Sequence, residues 1–266
     1  MEKQEFDFCL LIPCYNNRDG LLHSISTVKY STGNFLVLVV DDGSAEPIEG
    51  KEISKDLAVK VLRLEKNQGI TNALNTGLRW IGDNLSVKYI ARLDCGDTCD
   101  PERFNIQVGY MNANPEVVLA GSWCLFADEG GRNSYIYKTP VEDRKIRKAM
   151  YFRNVFIHPT VMFRTEYVMK VGLYPGNFEL AEDYALFWKL MKEGLTFVDS
   201  RLLVTSRISK DGISYKNRGK QLIARQKVVN YFGKSLFLRL ISIIRLGILF
   251  LVPKQLLLPL KNLKGR

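Results

Sequence analysis

Phe35-Leu36-Val37-Leu38-Val39-Val40-Asp41-Asp42-Gly43-Ser44 decides the fold: six apolar residues run without interruption into two acids and a turn. A stretch this short, continuous and valine-rich reads as a strand buried on both faces, the pattern of parallel sheets covered by helices. Tyr89-Ile90-Ala91-Arg92-Leu93 ends in the same manner, in Asp94-Cys95-Gly96-Asp97. Open α/β sheets place their ligand crevice at the carboxyl ends of parallel strands, so both acidic clusters are expected to face one shared crevice.

Working outward, Phe8–Pro13 and Val59–Leu64 read as further strands. Helical stretches near Asp19–Tyr30 and Thr71–Ile81 separate them, the second with Ala73, Leu74, Gly77, Leu78 and Ile81 on one face. This is a βαβ series. Beyond Pro101 the pattern mixes. Helices are predicted at Glu102–Asn112, Val141–Met150, Glu182–Glu193 and Asn217–Tyr231, and strands at Val117–Phe126, Ser134–Tyr137 and Pro159–Arg164.

With 266 residues and 46% hydrophobic content the chain can bury a full core, as one large domain with or without an appendage. Disorder and a small disulfide-stapled scaffold are both excluded. Five cysteines are an odd number, and the start of the chain shows no basic n-region or apolar signal core, so a reducing cytosol is expected. The spacings of Cys9/Cys14 and Cys95/Cys99 fit no common zinc motif.

The net charge of +10 is unevenly held. Residues 201–266 carry 15 Lys/Arg against one acid, Asp211, while residues 1–200 carry 23 against 27 Asp/Glu. Such a tail suits a polyanionic partner, either nucleic acid or the anionic cytoplasmic leaflet of a membrane. From Ser235 to Val252 nearly every residue is apolar, and the exceptions Ser235, Arg239, Ser242 and Arg245 share one helical stripe. A spanning helix needs about 20 apolar residues, and each buried arginine costs roughly 2.5–3.5 kcal/mol, so a helix lying in the interface is expected. Lys216, Arg218, Lys220, Arg225, Lys227 and Lys234 precede it, and Lys254, Lys261, Lys264 and Arg266 follow. The other reading is a C-terminal helix packed on the core. Nucleic acid is not expected as a partner, because no base-stacking or zinc-finger pattern accompanies the charge. The division predicted is residues 1–210 as the main domain and 211–266 as a basic amphipathic helical tail.

Five motifs stand in order: Ile12-Pro13-Cys14-Tyr15-Asn16; Val40-Asp41-Asp42-Gly43-Ser44; Asn67-Gln68-Gly69 leading to Asn75-Thr76-Gly77-Leu78; Arg92-Leu93-Asp94-Cys95-Gly96-Asp97 with Pro101-Glu102-Arg103-Phe104; and Glu182-Asp183-Tyr184. Together they resemble the motifs of family 2 glycosyltransferases, over roughly residues 6–207. The resemblance implies a GT-A fold, meaning a Rossmann-related α/β sheet, mixed but mostly parallel and flanked by helices. It also implies a nucleotide-diphosphate sugar donor, a divalent metal, and inversion at the anomeric carbon.

By that resemblance Pro13, Tyr15 and Asn16 lie along the nucleotide; otherwise they form a strand-to-helix turn capped by Asn16 or Asn17. Asp41 can accept a hydrogen bond from the imide N–H of uracil or thymine, and the resemblance makes it the base-reading position. Asp42-Gly43-Ser44 alone would read as turn chemistry. Asn67, Gly69 and Asn75 flank a helix start, where free backbone N–H groups favour a diphosphate, with Lys66 adding charge. The alternative there is a glycine-containing loop before a helix needing small residues for close packing. Asp94 and Asp97 suit Mg²⁺ or Mn²⁺, although Gly96 stands where the family pattern has another aspartate. His158 and Glu182 are implied near the acceptor or diphosphate, and Arg92 and Arg164 are read as phosphate partners or solvated charges. Glu182 and Asp183 would be ordinary acids of a first helical turn, but the resemblance makes Asp183 the base that deprotonates the acceptor.

The function implied is an inverting hexosyltransferase, cytoplasmic and peripheral on the inner face of a bacterial plasma membrane. It would pass a sugar from a UDP-sugar, or a dTDP-sugar, to a saccharide or polyprenyl-diphosphate-linked acceptor in surface polysaccharide synthesis. A catalytically weakened nucleotide-sugar-binding or scaffold protein is the alternative, suggested by Gly96. A sugar nucleotidyltransferase would require a Gly-rich triphosphate loop, which Ile12–Gly20 lacks.

Overall fold

A computed structural model describes residues 3–54, 56–128, 134–208 and 218–251, apart from the side chains of Arg218 and Leu251. The predicted boundary at 210–211, Val252 at the end of the tail helix, Asn217, Lys216 and the lysines and arginine beyond Leu251 lie outside the described residues.

The elements run β1 (Gln4–Cys14), α1 (Arg18–Ser26), β2 (Phe35–Asp41), α2 (Gly50–Ile53), β3 (Val59–Arg63), α3 (Ile70–Asn84), β4 (Leu85–Arg92), β5 (Thr98–Cys99), α4 (Arg103–Ala113), β6 (Val117–Ala127), β7 (Ser134–Tyr137), α5 (Asp143–Met150), a 3₁₀ turn (His158–Thr160), β8 (Met162–Arg164), α6 (Thr165–Lys170), α7 (Glu182–Leu190), β9 (Leu195–Arg207), α8 (Arg218–Phe232) and α9 (Leu236–Leu251). The strand order is β3-β2-β1-β4-β8-β6-β9-β5, with β7 paired beside β6. β3, β2, β1 and β4 are parallel, whereas β8 runs against both β4 and β6. The chain moves outward from β1 to β3 and then returns to place β4 on the other side of β1. That reversal opens a crevice beyond the carboxyl ends of β1 and β4.

Strand periodicity divides the core in two. Cys9 and Leu11 of β1, with Leu36, Leu38 and Val40 of β2, face α3 and, further along the sheet, α7. Phe8, Leu10 and Ile12, with Val37 and Val39, face α1 and α4. Burial on both faces explains why β2 tolerates no polar residue before Asp41. The predicted face of α3 is buried as expected, and Gly77 is there for close approach. A Cβ at Gly77 would stand 2.5 Å from Leu11 Cδ1 and 3.0 Å from Val40 Cγ2. Forcing a methyl into that contact costs about 1–3 kcal/mol.

Two predicted elements differ, and one long strand has no predicted counterpart. The helix expected to reach Tyr30 ends at Ser26, where Thr27 caps it. Pro159, expected in a strand, lies in the 3₁₀ turn, because it has no N–H to give a ladder; pairing begins only at Met162. The thirteen-residue strand β9 was not predicted. Its apolar pattern is broken at Asp199-Ser200-Arg201, where the pairing with β6 jumps from Ser122↔Asp199 to Trp123↔Leu202. Arg164, read as a phosphate partner or a solvated charge, is neither. Its guanidinium donates to the carbonyls of Val117, Met111 and Asn114 at 2.9, 2.7 and 3.1 Å, tying α4 to β6 and β8.

Candidate active site

Register decides which side chains meet at the crevice: Cys14 pairs with Asp41, Asp41 with Arg63, and Leu11 with Arg92. Asp41 is fully buried, with Oδ2 accepting from Arg63 at 2.5 Å and Oδ1 from the Ser44 N–H at 2.9 Å. Arg63 also donates to the Ser44 carbonyl at 2.8 Å, closing a ring around the turn. A carboxylate offers about four acceptor positions, so Asp41 has lone pairs left over, but it is wholly covered and an imide N–H would reach it only with the half-exposed Arg63 moved aside.

Asp42 does a different job. Its two oxygens accept the N–H groups of Gln68 and Gly69 at 2.8 and 2.9 Å. These are amides at the start of α3 that were expected to stay free for a diphosphate, and an aspartate 26 residues upstream already occupies them. Gly43 makes this possible. Its φ is +71°, and a Cβ there would meet the Lys66 backbone carbonyl carbon at 2.4 Å, so neither conformation nor space admits a side chain. Asn16, at φ +49°, latches the first loop to this turn: its N–H donates to Ser44 Oγ at 2.9 Å, and its Oδ1 accepts from Ala45 at 2.8 Å. Asn17 is the residue that caps α1. Tyr15 is 49% exposed above the sheet, Pro13 is half-buried and Asn67 is exposed.

Asn75, expected beside the donor, is 8% exposed and spent elsewhere. Its amide donates to the Tyr174 carbonyl at 2.8 Å and accepts the Tyr174 N–H at 3.0 Å. It therefore holds in place the segment that carries the Tyr174 hydroxyl.

At the end of β4, Arg92 is wholly buried rather than solvated. Its guanidinium donates to the carbonyls of Leu11 and Leu93, and to Asp94 Oδ1 at 2.6 Å. Its Nε points at His158 Nε2, 3.4 Å away, and the Tyr174 hydroxyl lies 2.7 Å from that same nitrogen. An Nε2 that accepts from Arg92 carries no proton, which places the imidazole proton on Nδ1. Burial, then the Arg92 charge, pushes the His158 pKa down to about 4, so the ring is neutral at pH 7.

The loop after Asp94 is pinned to α1. Ser24 donates to the Asp94 carbonyl at 3.2 Å and accepts the Gly96 N–H at 2.8 Å. Asp94 keeps a partly exposed carboxylate, 36% accessible. Asp97 is buried, and its Oδ1 accepts the Arg207 N–H at 2.9 Å, joining the loop to the end of β9. Burial, then the nearby Asp94 charge, raises its pKa to about 7. Gly96 has φ +99°, and a Cβ there would meet only Arg207 Cδ, at 3.9 Å. Glycine answers the backbone at this point, and the missing side chain leaves open space, part of a cavity of about 370 Å³ shared with His23, Thr98 and Arg207. Among the described residues, no three His, Cys, Asp or Glu side chains are grouped to hold a metal ion. One accessible carboxylate still fits Mg²⁺ or Mn²⁺, hard cations that take one or two carboxylates and complete their shell with phosphate oxygens and water. Asp97 is less available to such a shell, being buried with one oxygen already accepting from β9.

Glu182 and Asp183 open α7 as predicted. Asp183 Oδ1 accepts its neighbour's N–H, from Tyr184 at 2.6 Å, and Oδ2 accepts from Asn154 at 3.0 Å. Burial, then the Asp183 charge, raises the Glu182 pKa to about 7, with Asp94 and Glu179 adding to the effect. His158 feels Asp94 and Asp183, and Glu182 feels both as well. Residues 94, 158, 182 and 183 thus form one electrostatic neighbourhood at the end of β4, and Asp41 connects to it through the neighbouring thiols Cys14 and Cys95. All five cysteines are free thiols.

Arg63, Asn154 and Tyr174 were not singled out from sequence. Arg63 had a signal, a charge at the end of a third parallel strand beside Asp41. Asn154 and Tyr174 sit in irregular segments with no periodicity, where only the folded chain reveals the contacts.

A sheet of this order, with acids at the ends of β2 and β4 and at the start of α7, defines a GT-A-type enzyme. Residues 9–172 match the model of glycosyl transferase family 2, and the chain belongs to that family; it is a glycosyltransferase. It is 31% identical over 252 residues to the amylovoran biosynthesis glycosyltransferase AmsE of Erwinia amylovora, covering 92% of this chain and 91% of that one. It is also 31% identical over 204 residues to the Escherichia coli UDP-Gal:alpha-D-GlcNAc-diphosphoundecaprenol beta-1,3-galactosyltransferase, covering 75% and 72%. The fold is shared with the mannosyltransferase PcManGT of Pyrobaculum calidifontis, solved with GDP-Man and Mn²⁺, at a TM-score of 0.65 and 17% identity over 91% of this chain and 70% of that one. S. aureus TarS shares it at a TM-score of 0.64 and 17% identity, over 86% and 67%.

Proposed function

We propose that this enzyme transfers one sugar, with inversion, from a nucleotide-diphosphate sugar to a saccharide or polyprenyl-diphosphate-linked acceptor, for a bacterial surface polysaccharide. A UDP-sugar is the first choice of donor and a dTDP-sugar the second. One relative is named for amylovoran synthesis, the other for a UDP-Gal donor and a diphosphoundecaprenol-linked acceptor, and both names favour this reading. The observation that carries it is the meeting of Asp94, His158, Glu182 and Asp183 at the end of β4.

Asp183 takes the proton of the acceptor hydroxyl as that oxygen attacks the anomeric carbon. The bond from that carbon to the diphosphate oxygen breaks, and the nucleotide diphosphate leaves. A single displacement from the opposite face inverts the centre. Asn154 holds Oδ2 of Asp183, leaving the remaining lone pairs for the acceptor. Asp41 and the half-exposed Tyr15 bind the base, with Pro13, Asn16, Asn67 and Gly69 shaping the loops around it. Asp94 is the carboxylate for a divalent ion shared with the diphosphate, where the ion would offset negative charge on the leaving group. Neutral His158 holds Arg92 in position behind Asp94.

Purified protein offered a panel of UDP-, dTDP- and GDP-sugars tests the proposal, scored by nucleotide release and thermal shift. A uridine or thymidine donor should raise the melting temperature and be turned over, and chelator should suppress release. A response to guanosine donors alone would overturn the choice of a uridine or thymidine donor, and full activity in excess chelator would remove the metal.

A further inference from the structure

The tail helix α9 is mounted the wrong way round for a helix in water. Its polar stripe, predicted from the sequence, faces the protein. Ser242 Oγ accepts from Gln226 of α8 at 2.9 Å and is 4% exposed, the Ser235 N–H donates to Tyr151 Oη at 3.0 Å, and Arg245 donates to the Phe152 carbonyl. The apolar side points outward. Leu236 and Phe237 are 75% and 70% exposed, Leu240 and Ile244 both 58%, and Ile248 55%. A surface helix ordinarily does the reverse, burying its apolar stripe against the core. A continuous exposed apolar face of this kind marks an interaction site.

Two observations choose the occupant. From residue 212 to 266 the sequence contains no Asp or Glu, and Lys220 and Lys227 on the adjoining helix α8 and Lys234 just before α9 are exposed. A second copy would bring the same cations against these, whereas an anionic surface complements them. Sixteen helical residues extend about 24 Å, short of the ~30 Å hydrocarbon core, and no described helix is long and apolar enough to cross a membrane. We infer that α9 is a membrane-docking helix, lying in the plane of an anionic bilayer with Leu236, Phe237, Leu240, Ile244 and Ile248 in the acyl boundary and the lysines at the headgroups.

The same mounting reaches the crevice. Tyr151 and Phe152 hold α9, and two residues on, Asn154 holds Asp183. Docking would thus set the candidate base at a fixed relation to the bilayer, where the lipid-linked acceptor proposed above would be met; for its purpose, though not its geometry, the assignment rests on that reading.

Vesicle flotation of the full chain tests this, with vesicles of phosphatidylcholine alone and of equimolar phosphatidylcholine and phosphatidylglycerol. Wild type should float with the mixed vesicles and stay behind with the neutral ones. Leu240→Glu/Ile244→Glu should abolish flotation, and Lys227→Ala/Lys234→Ala should weaken it by about thirtyfold. Both pairs are outward-facing, so melting temperature and donor hydrolysis should match wild type. Flotation that is equal on both vesicles, or unchanged in the glutamate variant, overturns the inference. So does a wild-type dimer without lipid that the glutamate variant splits in light scattering, since a second copy would then cover the face. Absence of hydrolysis with every donor, flotation being intact, would instead sink the transfer reading and leave the docking surface standing.

Discussion

The acids at the end of β2 and Glu182 at the start of α7 are treated in opposite ways, while Asp183, which accepts from Tyr184 and Asn154, belongs with the first group. Asp41 and Asp42 are satisfied: between them they accept bonds from Arg63, Ser44, Gln68 and Gly69. Glu182 and Asp183 are crowded together with Asp94 in view, and burial with like charge pushes Glu182 up to about 7. Carboxylates that build loops are given donors, while Glu182 is given charged neighbours. The first arrangement fixes geometry and the second favours the protonated form.

Three measurements would break or sharpen this contrast. The largest effect is expected from Asp183→Asn, which removes the proposed base but keeps an acceptor for the Tyr184 N–H. Turnover should fall by about 10²–10⁴ with donor affinity unchanged in calorimetry. Normal turnover would move the role to Glu182. Next, Asp42→Ala leaves two backbone N–H groups without their charged acceptor, which should cost about 3 kcal/mol in a urea unfolding midpoint. A stability equal to wild type would mean that the Gln68–Gly69 loop is held by something else.

The third effect is a pH slope. Glu182 titrates at an ordinary 4.5 when unfolded and is held to about 7 when folded. The folded state keeps its proton where the unfolded state has lost it, so this group makes stability fall as pH rises from 4.5 to 7, and the full penalty applies above 7. Asp97, raised to about 7, acts in the same direction. His158, lowered to about 4 from 6.5, acts in the opposite one. Glu182→Gln cancels only the first, so its stability relative to wild type should grow across that window and then level off. A flat difference would show that Glu182 is not held neutral.

Regular structure carried most of what the sequence made legible. The runs ending at Val40 and Leu93 located two strands of the parallel sheet, because burial on both faces leaves a pattern that no helix interrupts. The positions of Asp41, Asp94 and Asp183 followed from strand ends and a helix start. What could not be read was how side chains divide their bonds. Asn75 holds Tyr174, Asp42 occupies the amides expected for phosphate, and Arg92 is buried behind Asp94. Each depends on a partner between 2 and 99 positions away in the chain, a relation that local spacing does not encode. The break at Asp199-Ser200-Arg201 hid β9 for a related reason, since a register jump erases the period that announces a strand.

Gly43 carries a lesson for anyone wishing to retune this enzyme. Its backbone presses on that of Lys66 with no room for a methyl group, so the pivot between the second and third loops cannot be varied without moving both. Directed libraries aimed at another nucleotide would do better to spare it, and Arg63 with it, and randomise Tyr15, whose side chain stands half-exposed above the sheet.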